Sequence, residues 1–180
     1  MQNQKEQKNI VKERLGVFID GANIYYASKQ AGWKLDIEKT KALFESIFDI
    51  QVFNYYAALP NKSDSSYADS KKYLDIEISL DVVRNLENLD EVMVLSGDSD
   101  YLELWKYVFI EKGKKIRFVS FKNNLAFELK KTKYLILEKI REFVELNREK
   151  NTPDLSVGRI SVLAIIDDRG SLSSGDVDNI

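Results

Sequence analysis

The chain has 180 residues, 44% of them apolar, and a formal charge of −2, which suits one domain with a real core and a short appendage. It contains no Cys and no His, which excludes a disulfide framework, a thiolate zinc site and every Ser-His or Cys-His mechanism. Chemistry must come from Asp, Glu, Lys, Tyr, Ser or a bound ion, and nucleic-acid binding would need local patches rather than global positive charge.

Residues 1–13 are polar and read as an N-terminal extension. Residues 15–19, Leu-Gly-Val-Phe-Ile, form the apolar run expected of a strand buried on both faces, and the run stops at Asp20. Residues 22–31 look helical, with Gly32 as a C-cap candidate. Asp36 is an N-cap candidate for a second helix, whose stripe is Ile37, Leu43, Phe44 and Ile47. Residues 50–57 read as the next strand, and 60–72 as a loop.

Segment 73–87 supports two readings. Leu74, Ile76, Ile78, Leu80 and Val82 alternate with polar residues, as in a strand. A parallel crossover between strands 50–57 and 92–95 favours a helix instead. On that helix Asp75 shares a face with Ile78, Val82 and Leu86, and Asp81 falls nearer the edge of the apolar arc. A carboxylate on a buried face is costly unless paired or metal-bound.

Residues 92–95 form a third strand and lead into Ser96-Gly97-Asp98-Ser99-Asp100. Residues 100–112 read as a helix ended by Gly113, with Leu102, Trp105, Val108 and Phe109 inward and Asp100 as its cap, in a capping-box-like pair with Glu103. Residues 115–120 are a fourth strand, and 124–146 read as mostly helical. Residues 147–180 are expected to be a linker and tail, so that 14–146 is the working domain. A polar start and the absence of a membrane-length apolar run predict a soluble, cytoplasmic protein without a membrane partner.

Strands alternating with helices predict an α/β fold with a mainly parallel sheet. Ligands in such sheets sit beyond the carboxyl ends of the strands, where Asp20, Asp98, Asp100 and Ser120 fall. Converging carboxylates repel one another, and a hard divalent cation relieves that. Mg²⁺ or Mn²⁺ prefers oxygen ligands and can activate water against a phosphodiester.

Each residue also has a plainer reading. Asp20, Asn23 and Asp100 suit helix caps, and Ser96 and Ser99 suit turns as well as phosphate or acid contacts. Lys71 and Lys72 could meet a phosphate or face solvent. Lys112, Lys114, Lys115 and Arg117 could track a nucleic-acid backbone, or could serve as helix C-terminal charges. Tyr25, Tyr26, Tyr55, Tyr56 and Trp33 are assigned to packing rather than to the site.

Phe18-Ile19-Asp20-Gly21-Ala22-Asn23 and Leu95-Ser96-Gly97-Asp98-Ser99-Asp100-Tyr101 resemble the NYN domain family, in its LabA-like branch of the PIN-like nuclease superfamily. The resemblance spans about residues 14–145 and keeps the motif order. It implies a three-layer α/β/α sandwich, an acidic metal-binding pocket and endoribonuclease activity on RNA. It implies catalytic and metal-binding roles for Asp20, Asp75, Asp98 and Asp100, with Asn23, Ser96, Lys72 and Asp81 in support. The family's middle motif is commonly Lys-Gly-Val-Asp with a further Asp six residues on; here Lys72-Tyr73-Leu74-Asp75 and Asp81 keep the Lys and both acids but not the Gly-Val.

Two alternatives accompany this reading. One is a non-catalytic RNA- or protein-binding module that keeps the pocket as a relic. The other is an aspartyl phosphatase or phosphotransferase, disfavoured because Asp20 lacks a second Asp two residues on. A homodimer is open, and the choice of RNA is not legible in the sequence.

Overall fold

The computed structural model describes residues 11–57, 67–146 and 163–164, and for 67–72 the backbone alone. Expectations for residues 1–10, for loop residues 58–66, for 147–162 and 165–180, and for the side chains of Lys71 and Lys72 lie outside the described residues.

The described elements are β1 (Arg14–Asp20), α1 (Gly21–Ala31), α2 (Ile37–Ile47), β2 (Asp49–Tyr56), α3 (Tyr67–Asn85), β3 (Glu91–Leu95), α4 (Leu102–Trp105), β4 (Lys115–Ser120), β5 (Tyr134–Ile136) and α5 (Arg141–Val144). Among the described residues the five strands form one sheet in the order β2-β1-β3-β4-β5, every pair parallel. Strand order reverses direction between β1 and β3, and that break is where open α/β sheets leave a crevice.

The apolar runs are continuous because both sheet faces are covered. Leu15, Val17 and Ile19 of β1, Met93 and Leu95 of β3 and Val119 of β4 pack under α1, α2 and α5. The alternate residues Phe18, Val92, Val94, Ile116 and Phe118 pack under α3 and α4. The result is the three-layer α/β/α sandwich that the resemblance implies.

Local chemistry fixes the helix ends. Asp36 caps α2 by accepting the Lys39 N–H at 3.0 Å. Gly32 closes α1 at φ 74°, a left-handed conformation that favours glycine. The 73–87 segment is helical, with Ile78 and Val82 fully buried. Leu102–Glu111 is α-helical to Trp105 and then widens to a π-helix over Lys106–Glu111, with Trp105 and Val108 buried.

Two expectations are corrected. The loop expected over 60–72 gives way at Tyr67, where α3 already begins. Segment 124–146 is not mostly helical: it holds a 3₁₀ turn at Glu128–Lys131, strand β5, a second 3₁₀ turn at Leu137–Ile140 and the short α5. Its Leu, Glu and Lys favour helix locally, but Tyr134–Ile136 pairs with the open edge of β4 in register Phe118↔Tyr134. Sheet pairing overrides local propensity there.

Candidate acidic site at the switch point

Asp20 is the last residue of β1 and is 2% exposed. Its Oδ1 accepts the Asn23 N–H at 2.9 Å, and its Oδ2 accepts the Ser96 hydroxyl at 3.2 Å. Asp20 therefore caps α1 and at the same time ties β1 to the end of β3. The Ser96 oxygen in turn accepts the Asp98 N–H at 3.2 Å. One serine hydroxyl thus links the strand-end acids on either side of the crevice.

Asn23 holds the glycine turn. Its side-chain oxygen accepts the Gly97 N–H at 3.0 Å and the Asn124 amide at 2.7 Å, and Gly97 accepts the Ala126 N–H at 2.9 Å. A Cβ on Gly97 would sit 2.1 Å from the Asn124 carbonyl oxygen and 2.7 Å from Ser120 Oγ. Only glycine admits this approach of the post-β4 loop. Gly21 answers a similar need, since a Cβ there would lie 2.6 Å from the Tyr55 phenol and the Tyr56 carbonyl oxygen.

Asp75 enters from α3. It accepts the Tyr101 hydroxyl at 2.9 Å, and Tyr101 is 1% exposed. The Tyr101 phenol is pushed far above its usual range, first by burial, then by the negative charges of Asp20 and Asp75, the hydrogen bond to Asp75, and Asp98. The Asp75 carboxylate thus holds this buried hydroxyl, and the charges of Asp20 and Asp98 act on it from nearby.

The remaining expected residues are placed differently. Asp98 Oδ1 accepts the Asp100 N–H at 3.2 Å, so the cap of the turn Ser99–Tyr101 is Asp98 and not Asp100, a correction. A short 3₁₀ turn brings the second N–H within reach of the side chain that opens it. Asp100 is exposed on that turn. Asp81 lies six residues beyond Asp75, about 9 Å along the helix. It accepts the Tyr56 hydroxyl at 2.8 Å and pairs with Arg84 at 3.0 Å, and so fastens α3 to β2. The Tyr56 phenol is pushed up to about 12, mainly by burial, with Asp81 adding to it.

Tyr101, Asn124 and Ser120 complete the surroundings. Tyr101 closes the second motif and was readable as its aromatic residue. Asn124 carries no sequence signal: it is one of two asparagines in a loop. Ser120 falls at the carboxyl end of β4, and its buried hydroxyl has no hydrogen-bond partner among the described residues.

The basic knot sits at the other end of the sheet. The Lys114 ammonium donates to the carbonyls of Leu86, Glu87 and Leu89, Lys115 pairs with Glu13, and Arg117 pairs with Glu91. These cations hold chain turns and strand starts rather than lining the acidic end.

Among the described residues no three acidic side chains stand close enough to form a ready cage for an ion. The donor set still fits a hard divalent cation in kind, being all oxygen. Mg²⁺ retains several waters and takes one or two carboxylates, so a closed protein cage is not required.

Comparison with known proteins matches this arrangement to a family. The curated relative LabA, the low amplitude and bright protein of Synechococcus elongatus, is 28% identical over 167 residues, covering 73% of this chain and 88% of LabA. A crystal structure of a protein of unknown function from Vibrio parahaemolyticus is similar with a TM-score of 0.48 at 17% identity, covering 76% of this chain and 95% of that one. The family model of the NYN domain matches residues 14–138, from the start of β1 past the end of β5. The chain that brings Asp20, Asp75 and Asp98 to one switch point belongs to the NYN domain family.

Proposed function

We propose that this protein is a ribonuclease dependent on Mg²⁺ or Mn²⁺, cutting RNA internally in the cytoplasm, with residues 14–146 as the nuclease domain. The observation that carries this reading is the linkage of Asp20 and Asp98 through the Ser96 hydroxyl at the β1/β3 switch point, with Asp75 bonded to the buried Tyr101 of the same turn. Membership of the NYN domain family supports it.

Asp20, Asp75, Asp98 and Asp100 would hold the ion. When bound, the ion supplies an activated water and positive charge against the phosphate. The rest of the work falls to the chain. Ser96 and the Asn23 backbone fix the orientation of Asp20. The Asn23 side chain sets the Gly97 turn, and through it the position of Asp98. Tyr101 points Asp75 inward and stays neutral, so it adds no further negative charge where phosphate must approach. Lys72, three residues before Asp75, would offer a counter-charge to the scissile phosphate. Asp81 is assigned to the tie with Tyr56 and not to the ion.

The test is cleavage of labelled RNA with Mn²⁺, with and without EDTA, beside Asp98→Asn. The expected outcome is cleavage by the wild type alone and only with metal. Equal cleavage by both proteins overturns the assignment. RNA binding without metal-dependent cleavage would instead mark the non-catalytic module, which the changed Lys72-Tyr73-Leu74-Asp75 motif favours. A trapped acyl-phosphate would mark the phosphotransferase.

A further inference from the structure

The strand-like alternation within α3 has a physical origin: the helix is apolar on two faces. Its inward face carries Ile78 and Val82, both fully buried. Its outward face carries Tyr73, Ile76, Leu80 and Val83, which are 72%, 57%, 47% and 40% exposed. At 100° per residue these four fall within about 80° of arc, nearly opposite Ile78 and Val82. Single exposed apolar residues are ordinary, but four in a row along three turns form a contiguous patch. Their spacing of three, four and three residues is that of a helix-pairing seam.

We propose that this seam is the interface of a homodimer, in which α3 packs antiparallel against α3 of a second copy of the chain, with the twofold axis beside Leu80. Charge complementarity selects this occupant. Glu77 and Arg84 lie on the same edge of the seam, one on each side of Leu80. A twofold axis through Leu80 keeps each residue on its edge and inverts its height. Leu80 then meets Leu80, Ile76 meets Val83, and Glu77 meets Arg84, each of the last two contacts occurring twice. A parallel pairing would carry the second copy's Glu77 and Arg84 to the opposite edge of the seam, where neither meets an opposite charge of this pair. Arg84 already bonds Asp81 of its own helix through one nitrogen, and its planar fork has further donors for a second carboxylate. The C-terminal tail is a poorer occupant, because Leu163 packs against the core on the opposite face of the sheet. The dimer is independent of whether the pocket cuts RNA.

The absence of cysteine allows a direct test on the full chain. Under mild oxidation Leu80→Cys should form a covalent dimer across the axis, whereas Phe127→Cys, exposed but away from α3, should not. By analytical ultracentrifugation the wild type should be dimeric at micromolar concentration. Leu80→Glu should weaken the dimer at least about 30-fold, as loss of a central anchor does, with the far-ultraviolet spectrum unchanged. Glu77→Arg should weaken it too, and Glu77→Arg with Arg84→Glu should restore it. A monomeric wild type overturns the proposal, whatever the reactivity of the thiol that Leu80→Cys introduces. A dimer indifferent to Leu80→Glu, or one that Arg84→Glu fails to restore, overturns it equally.

Discussion

The two ends of the sheet handle charge in opposite ways. At the amino ends of the strands, acids and bases are matched: Arg14 with Asp90 at 2.7 Å, Lys115 with Glu13, and Arg117 with Glu91 at 2.9 Å, the last pair almost wholly buried. Arg14 holds the Asp90 carboxyl far below its usual range. At the carboxyl ends, Asp20, Asp75 and Asp98 accept hydrogen bonds from hydroxyls and backbone amides instead, Asp75 from the buried Tyr101 phenol. Matched ends serve stability. At the acidic end those hydrogen bonds show no such matching, and the proposed function places the ion there. On the proposed function, the same fold separates a structural pole from a chemical one.

The largest effect that would test this contrast belongs to the structural pole. Glu91→Ala leaves Arg117 buried without its carboxylate, and chemical denaturation should show a loss of about 3–5 kcal/mol. RNA cleavage per folded molecule should stay at the wild-type level. Next comes Asp98→Asn at the chemical pole. Cleavage should fall at least about 100-fold, equivalent to about 2.7 kcal/mol of barrier, while the melting temperature moves by only a few degrees. If the two variants exchanged phenotypes, the division into poles would be wrong.

Gly97→Ala should mix the two responses. The added methyl meets a backbone carbonyl that cannot step aside, and the cost should be about 1–3 kcal/mol in denaturant. Cleavage should fall with it, because the Asn23 and Asn124 contacts share that turn. The smallest effect is alkaline. Tyrosine normally ionises near pH 10. Tyr101 stays neutral above that in the folded protein, whereas the unfolded chain releases its proton. Its contribution is thus fully present below about pH 10 and is lost as pH rises toward the folded value, at about 1.4 kcal/mol per pH unit. Ultraviolet titration should show Tyr101→Phe removing a tyrosine that ionises only on unfolding.

Much of this was legible because local and global signals agreed. The run Leu15 to Ile19 is apolar without interruption since both its faces are buried, and Asp20 ends it where solvent begins. Asp36 and Gly32 declare helix ends by chemistry that acts over three residues. Asp75 could be placed inward because the helical period groups it with Ile78 and Val82. Strand β5 was hidden because three residues pairing with a distant edge leave no periodicity of their own. The sequence points to Asp100 as the cap, whereas Asp98 caps the turn, because the turn is 3₁₀ rather than α. Asn124 was invisible because its importance lies wholly in a contact with a residue 101 positions away.

That last contact also bears on when the pocket comes into being. Asn23 lies in the first turn of α1, yet among the described residues its side chain is held by Gly97, 74 positions later, and by Asn124, 101 positions later. Contacts so distant in the chain form late in folding. During synthesis, which runs from the amino terminus, the first acid emerges long before the loop that completes its surroundings. The hydrogen-bonded surroundings of Asp20 and Asn23 are therefore completed only when the chain has been made as far as Asn124.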